Sequence, residues 1–219
     1  MKPTSNPFLR TLLSGFRAPW HLTLVVSAAL LSSAWAANDL YWDADGATAG
    51  GSGGTTAAGT WGTSVFWSDS SAGSSATLTA ITSNINDLHF SAGTDVTGTS
   101  AITVSGAQAA NLVILEEGTV NISGGTSITL GGGGGVNTGI QFNNGIGAST
   151  ISTALILGAD TTFTNLDNST QTISGAITGT GNLILNTNST GATNIGLAAT
   201  GPLNFTGTVT NTGTGTGTG

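Results

Sequence analysis

The chain contains no cysteine, and its only basic residues, Lys2, Arg10 and Arg17, all lie within the first 36 of 219 residues. Without cysteine, the fold depends on packing and backbone hydrogen bonds rather than on disulfides. Removal of residues 1–36 would leave ten acidic residues and no Lys or Arg, a net charge of 0 − 10 = −10 against −7 for the whole chain. Such a surface cannot neutralise phosphates, so we expect no nucleic-acid partner and no binding to anionic lipid.

The first 36 residues predict a cleaved secretory signal peptide. Basic residues precede the apolar run "LTLVVSAALLSSAWA" at 22–36, and Ala34 and Ala36 flank Trp35 in the A-x-A pattern of a cleavage site. A membrane anchor is the alternative, but this run is too short to cross ~30 Å of hydrocarbon comfortably. We therefore expect cleavage between Ala36 and Ala37, export, and a mature chain that does not insert into a membrane.

Helical patterning is also missing. Glycine, with 35 copies, and the abundant Thr, Ser and Asn are poor helix formers, and no apolar stripe of period 3.6 is present. What recurs is a unit of the form apolar–any–apolar, which places two side chains on one face of a strand. These units begin at Leu88, Ile102, Leu112, Val120, Ile128, Ile140, Leu155, Leu183, Ile195 and Leu203.

Short strands at this spacing are typical of a sandwich, a barrel or a solenoid. The phrases "VNISGGTSITL", "TQTISGAITGTGNLIL" and "PLNFTGTVTN" repeat one another inexactly, which favours stacked coils. We therefore expect an all-β chain that folds as a right-handed parallel β-helix, a solenoid with roughly 22 residues per coil and ~4.8 Å between coils. Disorder caused by the Gly and Ser content is the alternative, and the regular Val, Ile and Leu pairs argue against it.

Four segments follow from this interpretation. Residues 1–36 are the signal peptide, 37–77 an aromatic-rich N-terminal cap with a flexible loop, 78–206 the β-helix repeats, and 207–219 a disordered Thr/Gly tail that suggests a truncated chain. The cap is assigned to Trp42, Trp61 and Trp67, because an open solenoid end exposes its core and its strand edge. A sugar-stacking platform built from the same tryptophans remains the alternative.

Several stretches resemble a known family. "YWDADGATAG", "GTWGTSVFWSD", "ITVSGAQAANLVI" and "VNISGGTSITLGG" resemble the start of autotransporter-associated β-strand repeat proteins, and "ISGAITGTGNLIL" and "LNFTGTV" resemble the repeat itself. The resemblance covers most of residues 38–210, although the lysine and the Tyr-Thr-Gly ending of the usual repeat are missing, as is the C-terminal membrane barrel. It implies a right-handed β-helical passenger that is displayed at the cell surface, secreted or periplasmic in a Gram-negative-type bacterium. The implied partners are surface polysaccharide or other cells, with stacking on further repeats or a missing barrel.

Paired carboxylates are the only candidates for chemistry. Glycoside hydrolysis needs two carboxyls, which Asp43 with Asp45 or Glu116 with Glu117 could supply. The two glutamates, however, are expected in the turn before Gly118. Polysaccharide lyases also need basic residues, which the mature chain lacks.

The remaining motifs are expected to be structural. "DADG", Asp43 to Gly46, resembles part of a calcium loop, but the twelfth position is Gly54 rather than Glu, so a simple turn is favoured. His89 lies mid-strand and is expected to face outward as a neutral side chain, and one histidine without cysteine does not favour zinc. Asp160 and Asp167 are expected in turns. The sequons at Asn121, Asn168, Asn188 and Asn204 matter only in a eukaryotic glycosylation system.

We therefore predict no catalytic, cofactor-binding or metal-binding residues. The first functional hypothesis is a non-enzymatic exported segment with a structural or adhesive role at the cell surface. Polysaccharide binding or hydrolysis on a β-helix is the second hypothesis, and a truncated product without independent function is the third.

Overall fold

The computed structural model of this protein describes residues 38–52, 54–135, 137–188, 190–191, 193–195 and 202–216. All of them belong to one compact unit, Ala34–Gly219. The predicted signal peptide, residues 1–36, lies outside the described residues. Within the described ranges there is no helix, and hence none long and apolar enough to span a membrane.

Nineteen strands are present in the described residues. They are β1 (Asn38–Trp42), β2 (Gly59–Trp61), β3 (Trp67–Ser68), β4 (Asn86–Phe90), β5 (Thr99–Val104), β6 (Ala107–Ala110), β7 (Leu112–Leu115), β8 (Thr119–Gly124), β9 (Ser127–Leu130), β10 (Gly139–Phe142), β11 (Thr150–Ile151), β12 (Leu155–Leu157), β13 (Thr161–Asn165), β14 (Gln171–Ile173), β15 (Ile177–Gly179), β16 (Leu183–Thr187), β17 (Thr193–Ile195), β18 (Leu203–Phe205) and β19 (Val209–Asn211).

The strands form three sheets that the chain visits in turn. Sheet 1 has the order β19-β16-β13-β10-β7-β4-β1-β3, sheet 2 the order β17-β14-β11-β8-β5-β2, and sheet 3 the order β18-β15-β12-β9-β6. All neighbours are parallel except β1 and β3. This topology confirms the all-β prediction and is compatible with a β-helix or solenoid-like fold, because parallel strands need crossover connections and here the other two sheets provide them.

Register partners along sheet 1 give the coil length. Leu88, Val113, Ile140, Phe163 and Leu185 are successive partners, so the coils between them are 25, 27, 23 and 22 residues long. The expected coil of roughly 22 residues therefore matches the last of these intervals. Longer turns account for the extra residues in the others.

The core consists of apolar side chains stacked strand over strand. In sheet 1 Leu88 lies over Val113, in sheet 2 Ile102 lies over Ile122, and in sheet 3 Ile128 lies over Leu155. These residues are at most 1% exposed. Full burial of such a side chain contributes roughly 1.5–3 kcal/mol, so these stacks supply the main stabilising term.

The predicted inward pair at Leu112 and Ile114 is wrong by one residue. Val113 and Leu115 are the partners of Leu88 and Phe90 in the core, and Leu112 and Ile114 alternate to the other face. Four consecutive apolar residues carry no period-two signal, so their phase is decided by pairing with β4 rather than by the local sequence.

The first coil begins earlier than the sequence indicated. β1 and β2 lie inside the predicted cap of residues 37–77, yet they are parallel partners of β4 and β5. The loop "GATAGGSGGTTAAG", residues 46–59, was expected to be flexible. It is instead held by Asp95, whose carboxylate accepts hydrogen bonds from the Gly51 and Ser52 amides at 2.7 and 3.3 Å.

The predicted end of the repeats at residue 206 is also too early. β19 pairs with β16 in sheet 1, so residues 209–211 are a strand rather than part of a disordered tail. The Thr208 amide and hydroxyl both donate to Asn182 Oδ1 at 2.9 Å. Backbone pairing and this side-chain contact order a segment that has little apolar content.

Several strands were not predicted, because they carry no apolar–any–apolar unit. β6 consists of "AQAA", β13 of "TTFTN", β14 of "QTI" and β15 of "ITG". Each contributes a single buried aliphatic, aromatic or alanine side chain to the core, which a search for two apolar residues misses. The unit predicted at Ile195-Gly196-Leu197 extends outside the described residues.

Gly139 illustrates why glycine is needed inside a strand. Its φ of 149° is rarely adopted by other residues, and a Cβ there would meet the Thr162 carbonyl oxygen of the next coil. Close stacking of β10 on β13 therefore depends on the missing side chain.

Candidate functional site

Most titratable groups of the described residues lie on strands β1 and β4 of sheet 1 or in the turns that follow β1, β4 and β7. The alternation that turns Leu88 and Phe90 inward turns Asp87 and His89 outward. Asp39 and Tyr41 of β1 are their register partners. With Glu116, which follows β7, these four residues form a surface group that we call the His89 cluster.

The outward orientation predicted for His89 is confirmed, but its surroundings were not anticipated. Its Nδ1 lies 2.9 Å from Glu116 Oε1, and its Nε2 lies 3.8 Å from Asp39 Oδ1. The imidazole stacks on the Tyr41 ring with centroids 4.4 Å apart at 25°. Two carboxylates and one aromatic ring therefore surround it and leave its side chain only 14% exposed.

Burial and neighbouring charge change the pKa of two further members of the cluster, Tyr41 and Asp87. Burial raises the pKa of the Tyr41 phenol, and the Asp39 and Glu116 carboxylates raise it further. Burial also raises the pKa of Asp87, against a hydrogen bond that Asn111 Nδ2 donates to its Oδ1 at 2.8 Å. Tyr41 therefore stays protonated at neutral pH and can serve as a hydrogen-bond donor, not as a nucleophile.

An open cleft of about 520 Å³ lies beside the cluster, on the far side of Glu116. It is lined by Thr94, Val96, Thr97, Glu116, Glu117, Gly118, Thr119, Gly145 and Gly147. Gly118 has φ 57°, and a Cβ there would meet the Gly98 carbonyl oxygen. The turn predicted before Gly118 is therefore present, and it presents both glutamates at the cleft wall.

Glu117 is the residue in the cleft that can exchange a proton near neutral pH. Burial raises its pKa to about 7, and the Asp95 and Glu116 carboxylates add to the rise. A hydrogen bond from the Val96 amide to Glu117 Oε2, at 3.0 Å, opposes it. An acid whose pKa lies near the working pH is what general acid–base catalysis requires, and Glu117 is such a group.

A second cavity, of about 440 Å³, lies between the loop that begins after β1 and the turn that follows β4. Asp95 forms part of its wall. Burial acts to raise the pKa of Asp95, but hydrogen bonds from Gly51 and Ser52 outweigh burial and lower it. The Asp95 carboxylate already accepts hydrogen bonds from the 46–59 loop, so we assign it a role in holding that loop rather than in binding a ligand.

The tryptophans do not form a sugar platform. Trp42, Trp61 and Trp67 are at most 1% exposed, and all three contact Phe90 with ring centroids 5.4 to 5.7 Å apart. The indole of Trp42 donates to the Ala57 carbonyl at 2.6 Å. The platform hypothesis required exposed ring faces. The structure instead places the rings inside the first coil, where they close its core.

The remaining acidic residues lie in turns, as predicted. Asp43 Oδ1 accepts the amides of Asp45 and Gly46, and burial followed by the Asp45 carboxyl raises the pKa of Asp43 to about 6. Asp160 accepts two hydrogen bonds from Asn182, and Asp167 accepts the Ser169 amide. Within the described part of the chain, no three His, Asp or Glu side chains form a cluster that could hold a metal ion by themselves.

The sequon asparagines form part of the polar surface. Asn121 lies on the outward face of β8, and Asn204 is exposed on β18. Asn168 Oδ1 accepts a hydrogen bond from the Thr190 hydroxyl at 2.6 Å, and Asn188 Oδ1 accepts one from the Thr214 hydroxyl at 3.1 Å. Asn168 and Asn188 therefore link neighbouring coils.

No protein-family model, curated protein or solved structure matches this chain.

Proposed function

We propose that this chain is an exported, non-enzymatic β-helix segment with a structural or adhesive role at the surface of a Gram-negative-type cell. In this proposal the β-helix is right-handed and is related to the passengers of autotransporter-associated β-strand repeat proteins. The observation that carries it is the sparsely charged outer surface of the later coils, whose only acids are Asp160 and Asp167 and where Asn and Thr side chains link one coil to the next. An experimental structure would report the handedness directly.

The outer face of sheet 1 supports an adhesive role. Gln141, Thr164 and Asn186 are successive register partners on β10, β13 and β16. They form a polar stripe without charge, which can exchange hydrogen bonds with the hydroxyls of a polysaccharide. A rigid column of stacked coils repeats this stripe at the ~4.8 Å spacing of paired strands.

Export is tested by expressing the full chain in a Gram-negative host and determining the mass and N-terminus of the product. The proposal expects a product that begins at Ala37 and is found outside the cytoplasm. An Ala36→Glu variant serves as the control, since signal peptidase requires a small residue there. Retention of residues 1–36 in a cytoplasmic product would contradict the proposal.

Adhesion is tested by measuring binding of the purified protein to immobilised polysaccharides and to whole cells. A Thr164→Glu variant places a charge in the stripe, and binding is expected to fall about 10-fold or more if several hydrogen bonds are lost. Thr172→Glu, on the outer face of sheet 2, is the matched control. Equal binding by both variants would show that the stripe is not the adhesive surface.

Polysaccharide hydrolysis is the second candidate, favoured by the two glutamates in the cleft. Release of reducing ends from a polysaccharide panel, measured between pH 5 and 8, would support it if Glu117→Gln abolished the release. Retaining and inverting mechanisms both need an acid that is protonated at the working pH, and Glu117 meets that condition near pH 7. Absence of hydrolysis across the panel would count against this second candidate.

A further inference from the structure

The turn "DADG" contains a carboxylate that is fully buried. Asp43 follows Trp42 at the end of β1 and is 0% exposed. Its Oδ1 accepts the amide of Asp45 at 3.1 Å and that of Gly46 at 3.0 Å. Hydrogen bonds from backbone amides favour the ionised form of a carboxyl, so the turn is built to hold a negative charge.

The other oxygens at this turn have no donor. Asp43 Oδ2 and Asp45 Oδ1 are both buried, and neither has a hydrogen-bond partner among the described residues. The oxygens lack a donor when both carboxyls are ionised, whereas a proton on one carboxyl would let the two side chains hydrogen-bond to each other. A buried carboxylate oxygen without a donor is costly, and a second carboxylate beside it adds repulsion. A positive group between the two oxygens would remove both penalties.

No side chain of the described residues provides that group. The described residues include no Lys or Arg, and His89 is engaged by Glu116 and Asp39. The positive partner must therefore come from solution, either as a proton or as a metal ion. A site that offers only oxygen atoms suits hard cations, and a flexible coordination number favours Ca²⁺ over Mg²⁺.

We propose that Asp43 Oδ2 and Asp45 Oδ1 bind a calcium ion, with the remaining coordination supplied by backbone carbonyls and water. The ion would tie the start of the 46–59 loop to the end of β1, next to the buried Trp42. With two carboxylates, affinity is expected in the weak range of extracellular calcium modules, about 10⁻⁴–10⁻³ M. This inference does not require the surface role proposed above.

Terbium provides the direct test, because Tb³⁺ occupies calcium sites and the neighbouring Trp42 can sensitise its emission. Protein purified from the full-length chain is titrated with Tb³⁺ under tryptophan excitation, and Ca²⁺ is then added as competitor. We expect saturable emission that Ca²⁺ displaces, and an affinity at least about 10-fold lower in Asp45→Asn. Asp69→Asn removes an exposed acid close to Trp67 and is the matched control.

A second measurement covers the case in which a variant folds poorly. The unfolding temperature of the unmodified protein should rise by about 3–6 °C when Ca²⁺ reaches ten times its dissociation constant, and by less in Mg²⁺ at equal ionic strength. Emission that is absent or unaffected by Ca²⁺ would overturn the proposal. So would an unfolding temperature that follows pH but not Ca²⁺, since the two carboxyls would then share a proton.

Discussion

The two ends of this protein are built from the same coil but are stabilised by different side chains. Residues 38–118 contain eight of the ten acids, the single histidine outside the first 36 residues and three buried tryptophans. Residues 137–216 contain only Asp160 and Asp167 and no tryptophan. Their core is aliphatic with isolated phenylalanines, and their surface linkage is by Asn and Thr.

The difference shows that parallel stacking tolerates very different side chains as long as the backbone ladder and one inward apolar stack continue. At the N-terminal end, large aromatic rings fill the core of the first coil and β3 covers the edge of β1. At the C-terminal end, Leu203 and Val209 are 40% and 56% exposed. The core is therefore sealed at the first coil and open to solvent at the last described one.

Removal of a buried indole should lower the free energy of unfolding more than any other change considered. A small loss would contradict the contrast between a sealed and an open end. Trp61→Ala deletes a fully buried ring that contacts Trp67 and Phe90 and donates to the Thr82 hydroxyl at 2.9 Å. We expect a loss of about 3–5 kcal/mol in the free energy of unfolding, measured by urea denaturation. Val209→Ala, at the open end, should cost about 0.5 kcal/mol or less. Equal losses would show that the two ends are equally sealed.

The close backbone stacking of one coil on the next, which both ends share, is the subject of the next test. Gly139→Ala introduces a Cβ against the Thr162 carbonyl oxygen at a φ that disfavours side chains, so we expect a loss of about 1–3 kcal/mol in the same denaturation experiment. Gly54→Ala is the control, because nothing lies within 4 Å of its Cβ position. A neutral Gly139→Ala would mean that the coils stack less closely than described.

The amide links sharpen the comparison between interior and surface. Asn111 is 0% exposed, donates to Asp87 Oδ1 and accepts the Thr138 hydroxyl at 2.9 Å. Asn111→Ala would leave both partners without this contact, and we expect a loss of about 1–3 kcal/mol. Asn182→Ala removes an exposed link and should cost about 1 kcal/mol or less. If Asn182→Ala lowered the unfolding temperature more than Asn111→Ala, the buried hydrogen bonds of Asn111 would not be the stronger link.

The pH dependence of stability should also differ between the ends. The folded pKa of Glu117, about 7, lies above its usual 4.5, so the folded state holds the proton more tightly and stability falls as pH rises from about 4.5 to about 7. Glu117→Gln should reduce the fall of the unfolding temperature over this window, and Asp43, whose pKa is raised to about 6, accounts for part of the fall that remains. The effect of Asp160 on stability has the opposite sign, because hydrogen bonds from Asn182 lower the pKa of its carboxyl. Its contribution to the free energy of unfolding is therefore lost only as the pH falls below the usual pKa of an aspartate. An unchanged slope in Glu117→Gln would place the titration elsewhere.

The sequence predicted the strands that carry a clear apolar pair, such as β9, where Ile128 and Leu130 are buried. It also predicted the turn at Glu116–Gly118. It did not anticipate the contact between His89 and Glu116, because these residues are 27 positions apart and only the stacking of β7 on β4 brings them together. The prediction of which β7 residues face the core was wrong for the same reason, because pairing with β4 and not the local pattern selects the inward face.

The sequence by itself determined the class of structure. Alternating aliphatics separated by Gly, Ser and Asn specify short strands and turns through local sterics, and the scarcity of basic residues sets the sign of the surface. The tertiary structure alone decided which residues meet across coils: the buried tryptophans, the His89 cluster and the carboxylate oxygens of Asp43 and Asp45. These contacts depend on coil lengths that vary with each turn, and an offset of one residue would turn a different side chain toward the core.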